Sequence, residues 1–166
     1  MLADIFLRRR QLDTAENISE QGLAISREVG DLPNQGSYLC ALGRVALQRR
    51  QYQVAEDYLQ QSLTIARESG GQRLETEALC VLGDVAKAQA DYARAETMYR
   101  QSLTLANELG LGPEIAEAQL ALGRLLAEQL GLREEGRLLV AEAAQRFTEM
   151  EMPEAEDARA ALERLG

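Results

Sequence analysis

Residues 82–110, LGDVAKAQADYARAETMYRQSLTLANELG, copy residues 42–70, LGRVALQRRQYQVAEDYLQQSLTIARESG, at a step of 40. About half of the aligned positions are identical, among them Leu42-Gly43 with Leu82-Gly83, and Tyr52-x-x-Ala55-Glu56 with Tyr92-x-x-Ala95-Glu96. The run Gln61-Ser62-Leu63-Thr64 returns unchanged as Gln101-Ser102-Leu103-Thr104, and both copies end in Ala-x-Glu-x-Gly, at Gly70 and Gly110. Chance does not produce such agreement, so the chain is a repeat array and its fold follows from one unit.

That unit reads as two helices, one from about Asn34 to Arg49 and one from about Tyr52 to Ser69. In the second, Val54, Ala55, Tyr58, Leu59, Ser62, Leu63, Ile65 and Ala66 fall at steps of three and four, which draws one apolar stripe down a helix. Gly30, Gly70 and Gly110 stand where a left-handed C-terminal cap is wanted. Pro33, Pro113 and Pro153 follow just after, near helix starts, where a missing N–H costs little.

The pattern runs on in both directions. Leu12-x-x-Ala15-Glu16 and Leu23-x-Ile25-x-x-Glu28-x-Gly30 match upstream, which puts Leu2 and Ala3 in the places of Leu42 and Gly43. Downstream, Leu122-Gly123 opens a third copy with one extra residue around Gly131, a second helix from about Arg133 to Met150, and a last helix after Pro153. The expected division is a truncated first pair over 1–30, complete pairs over 31–70, 71–110 and 111–152, and a capping helix within 153–166.

Helix pairs with Leu-Gly in the first helix and Tyr-x-x-Ala in the second resemble the tetratricopeptide repeat. Leu39, Leu42, Gly43, Tyr52, Ala55, Leu59, Leu63 and their copies carry the likeness across essentially the whole chain. The usual unit has 34 residues. The longer unit here looks like the variety in kinesin light chains, Pins-type polarity adaptors and bacterial regulators of the maltose-activator type. The resemblance implies an all-α fold, an α–α superhelix of antiparallel helix pairs. Gly43, Gly83 and Gly123, with Ala55 and Ala95 opposite, are expected where two helices approach closely, since glycine within a helix costs about 1 kcal/mol against alanine and needs a steric reason.

The third copy departs from the pattern. Gln119 stands where Leu39 and Leu79 do, Leu132 is expected at the tyrosine position, and Gly136 lies near the expected alanine. In the last helix Leu162 matches Leu122, and Glu163 replaces the glycine.

In tetratricopeptide arrays the first helices line a concave groove. Carried over by position, the groove residues are Ser37, Cys40, Arg44, Leu47 and Gln48, then Glu77, Cys80, Asp84, Lys87 and Ala88, then Glu117, Leu120, Arg124, Ala127 and Glu128. The residue after the motif glycine gives a series, Asp4, Arg44, Asp84, Arg124 and Arg164, whose first four members alternate in sign. Two readings coexist. In one, each charge neutralises its neighbour in an inter-repeat ladder worth about 0–1 kcal/mol per pair. In the other, Arg44 and Arg124 clamp carboxylates of an extended ligand while Asp84 takes a basic group.

Composition narrows the function. The 166 residues are 46% hydrophobic and 27% charged with a formal charge of −9, which suits a packed core and disfavours binding to phosphate backbones. The cluster Arg8 to Arg10 reads as a solvated helix end. No stretch approaches the roughly 18–20 apolar residues of a membrane span, and the apolar start precedes the basic cluster, the reverse of a secretory signal. There is no histidine, which excludes histidine catalysis and histidine-containing metal sites. Cys40 and Cys80 are one repeat apart, at a stacking distance of about 8–10 Å, whereas a disulfide needs α-carbons within roughly 7 Å. They read as thiols, which suits the cytoplasm. No glycine-rich phosphate loop is present.

The expected function is therefore a non-enzymatic scaffold binding a protein or peptide in its groove, without cofactor, metal, nucleic acid or membrane. The alternative is a sensory module of a larger bacterial signalling or transcription regulator that binds a small effector. Leu2, Ile5 and Phe6, on the truncated pair, suggest a fragment of a longer protein or an edge-to-edge homodimer.

Overall fold

The computed structural model describes residues 11–166. Among them eight helices follow one another with no strand: α1 (Leu12–Glu28), α2 (Leu32–Gln48), α3 (Tyr52–Ser69), α4 (Gln72–Ala88), α5 (Tyr92–Leu109), α6 (Gly112–Glu128), α7 (Arg133–Glu149) and α8 (Glu154–Leu165). The fold class is the all-α helix-pair repeat that the 40-residue step implies. Leu2, Ala3, Asp4, Ile5, Phe6 and the arginines at 8–10 lie outside the described residues.

The turns explain the period. Between pairs, Gly30, Gly70 and Gly110 take φ of +71°, +69° and +65°. The residue after each donates its N–H back into the helix, Asp31 to Ser26 O, Gly71 to Ala66 O and Leu111 to Ala106 O, at 2.8–3.0 Å. This is the left-handed cap expected of glycine, which has no Cβ to strain there. Within pairs the same closure falls on ordinary residues. Arg50 and Ala90 take φ of +60° and +61°, with Gln51 N–H on Ala46 O and Asp91 N–H on Ala86 O, both 2.9 Å. Asp31 and Asp91 cap the helices that follow, accepting from the N–H groups of Asn34 and Arg94 at 3.2 Å.

The third pair carries its extra residue in the turn of Gly131, where the Leu132 N–H reaches Leu126 O at 2.9 Å, one residue further than in the other two. Leu132 is consequently the N-cap of α7, and Arg133, not Leu132, occupies the place of Tyr52 and Tyr92. Gly136 then falls on the position of Ala55 and Ala95, and Glu151 (φ +53°) on that of Gly70 and Gly110.

The chain divides into two compact units, residues 1–85 and 86–166. In the first, Leu23 of α1 packs with Leu39 and Leu42 of α2, joined by Tyr38, Tyr58 and Ile65. Burial of such side chains supplies about 1.5–3 kcal/mol each. Gly43 makes room for Leu59, whose side chain would lie 2.6 Å from a Cβ there, and the Ala55 carbonyl is 3.4 Å from the same point. Buried Ser62 donates to the Gly36 carbonyl at 2.8 Å, tying α3 to α2.

In the second unit Ala116 and Leu120 of α6, Val140, Ala143, Ala144 and Phe147 of α7, and Ala155, Ala158, Ala161 and Leu165 of α8 form one core. The contact between α6 and α7 is backbone on backbone: a Cβ on Gly123 would lie 2.7 Å from the Gly136 carbonyl, and one on Gly136 would strike the carbonyl of Gly123. Arg133 closes the end of α8, its guanidinium donating to the Leu165 carbonyl through Nε and Nη2 at 2.9 and 2.5 Å.

Candidate functional site

The residues singled out for the ligand face sit on α2, α4 and α6. In the first unit Arg44 and Glu77 meet across α2 and α4. Arg44 Nη2 donates to Glu77 Oε1 at 2.9 Å, with both side chains about one-third exposed. Ser37, Cys80 and Asp84 are half-buried on the same two helices, and Gln48 is exposed at the end of α2. Ser37 turns its hydroxyl onto the Pro33 carbonyl at 3.0 Å. Cys40 differs from these: it is 1% exposed and belongs to the packed interior. No disulfide joins Cys40 to Cys80.

In the second unit Arg124 is the counterpart. Its Nη2 donates to Asp157 Oδ1 at 3.0 Å and to the Asp157 carbonyl at 3.2 Å. Glu117 is half-buried and Glu128 exposed. Leu120, 9% exposed, is part of the α6–α7–α8 core and not a lining residue. Ala127 presses against Gly136, its methyl 2.7 Å from where a Cβ on that glycine would stand. Lys87 lies over the ring of buried Tyr99, 5.9 Å from the centroid, within cation–π range.

Both arginines thus hold an acid 33 residues further along. Glu77 was among the residues expected on the face, and Asp157 was not. The signal for Asp157 was present in the row Ser37, Glu77, Glu117, which continues to 157 at the same step.

Further ion pairs tie helices together. Arg49 spans Glu16 and Asp13 at 2.9 and 2.5 Å, joining the end of α2 to the start of α1. The hydrogen bonds that Arg49 donates to the Glu16 carboxylate raise its guanidinium above its ordinary pKa. Arg100 joins Glu96 to Glu135 in the same manner, α5 to α7. Among the described residues no cluster of acids and thiols could hold a metal ion, and no helix is long and apolar enough to cross a membrane.

Comparison with known proteins places this geometry. Residues 1–68 match one tetratricopeptide-repeat family model and residues 76–109 another, together more than half of the chain. No curated protein matches the sequence. A Rap protein solved in complex with Competence and Sporulation Factor is similar over 98% of this chain and 46% of its own, with a TM-score of 0.88 and 18% identity. Aspartyl phosphate phosphatase F from Bacillus subtilis is similar over 99% and 46%, with a TM-score of 0.79 and 12% identity. A putative kinesin light chain of Podosopora anserina with nearly identical repeats is similar over 99% and 81%, with a TM-score of 0.69 and 18% identity. The chain spans 60% of the length of RapI and 46% of that of the complexed Rap protein. At these identities the likeness is one of fold.

Proposed function

The chain belongs to the tetratricopeptide-repeat superfamily, and on that premise we propose that it is a non-catalytic, cytoplasmic scaffold that binds a protein or peptide along the face of its first helices. One observation carries this reading. The first helices bury their apolar residues yet keep a partly exposed row of charged side chains, in which Arg44 meets Glu77 and Arg124 meets Asp157. A charged face on packed helix pairs suits recognition of an extended polar chain more than catalysis. Ser37, Arg44, Gln48, Glu77, Cys80, Asp84, Lys87, Glu117, Arg124 and Glu128 are the contacting residues under this proposal, with Cys40 and Leu120 as the core beneath them.

A second reading has its own support. The chain spans about half the length of the complexed Rap protein and of the Bacillus subtilis phosphatase it resembles. A part of that size suits a sensory module that binds a small effector within a larger bacterial regulator. The edge-to-edge homodimer through Leu2, Ile5 and Phe6 belongs to the proposal as well. A mass that stays monomeric as concentration rises removes it.

Photo-crosslinking tests the main reading. Crosslinkers placed at Gln48 and Glu128, on the first helices, should capture a specific partner that crosslinkers at Gln60 and Gln101, on second helices, do not. Reversing Arg44 and Arg124 together should abolish that capture. Equal capture from both sets of positions sinks the proposal. Saturable binding of a small molecule that leaves the crosslinks unchanged would favour the sensory module.

A further inference from the structure

We draw no further inference here: the strongest candidate, the exposed apolar patch of Ile25 and Val29 at the end of α1 with Leu32 at the start of α2, carries nothing because nothing in the structure shows what covers it.

Discussion

The ring of Tyr38 on α2 occupies the space that a side chain on Gly22 of α1 would fill. The two residues are exchanged together elsewhere in the array. Gly22 corresponds to Ser62 and Ser102, and Tyr38 to Ala78 and Ala118, so a large residue on the first helix goes with none on the second. Gly22→Ser alone should cost about 1–3 kcal/mol, because the ring must leave its place. Tyr38→Ala alone should cost a similar amount through lost burial. The double variant has the residues of the other repeats and should be more stable than the sum of the single effects allows. Urea unfolding of the four proteins in a double-mutant cycle measures this coupling, and additive effects would show that the ring does not depend on the glycine.

Ala90 closes the turn between α4 and α5 at φ +61°, where an L-residue is strained by about 1–2 kcal/mol. The third pair uses Gly131, φ +71°, in its corresponding turn. Ala90→Gly should therefore stabilise the chain by about 1 kcal/mol once glycine's greater unfolded-state freedom is subtracted. Gly131→Ala should lose a similar amount. Thermal unfolding of both variants checks the pair, and a lower melting temperature for Ala90→Gly contradicts the account.

How much of this was legible in sequence depends on the kind of contact. The helix pairs, their glycine caps and the close approach at Gly43 follow from local pattern, because each is decided within one repeat. The extra residue near Gly131 and the helix start at Arg133 were legible, but Leu132 was set at the tyrosine position because only the turn's hydrogen bonds show that it is the N-cap. The partners of Arg44 and Arg124 were also hidden. The acids Glu77 and Asp157, 33 residues on from the two arginines, are not marked by the alternating series after the motif glycine, which compares positions forty residues apart. Each acid stands seven residues, nearly two helical turns, before the position that the 40-residue step marks. Cys40 and Leu120 were expected on the ligand face from the family pattern. The volume of neighbouring core residues, which sequence spacing does not report, places them inside.

Gly136 gives a sharper test of packing in the third pair. Alanine is the residue at the matching positions 55 and 95, so Gly136→Ala looks conservative by sequence. In the structure a Cβ there would strike the Gly123 carbonyl and stand 2.7 Å from the Ala127 backbone nitrogen. Backbone cannot give way as a flexible side chain can. The variant should lose about 2–4 kcal/mol, in the range of core overpacking and above most single substitutions. Chemical denaturation reads the loss, and a change below about 0.5 kcal/mol would mean that α6 and α7 separate at little cost.

Gln119 stands where Leu39 and Leu79 stand and is 5% exposed. Its Nε2 donates to Glu142 at 2.5 Å, while its buried Oε1 has no hydrogen-bond partner. An unsatisfied buried carbonyl costs about 1–3 kcal/mol, and the exposed Glu142 can exchange its lost bond for water. Gln119→Leu should raise stability by about 1 kcal/mol and leave the charged face intact. If stability falls instead, the amide's bond to Glu142 outweighs its unsatisfied oxygen.

The two arginine–acid pairs allow exposure to be separated from geometry. Both span 33 residues and both use Nη2 at 2.9–3.0 Å, but Glu77 is 34% exposed and Asp157 63%. Arg44→Glu with Glu77→Arg, and Arg124→Glu with Asp157→Arg, each complete a cycle with their single reversals. Partly exposed pairs couple by about 0–1 kcal/mol, and water weakens the more exposed one, so Arg44–Glu77 should show the larger coupling. Raising the salt to about 1 M shortens the screening length to roughly 3 Å. The coupling at Arg124–Asp157 should then vanish first. Urea denaturation at low and high salt supplies both comparisons, and an Asp157 coupling that is larger and insensitive to salt would place that pair among the structural contacts of α8.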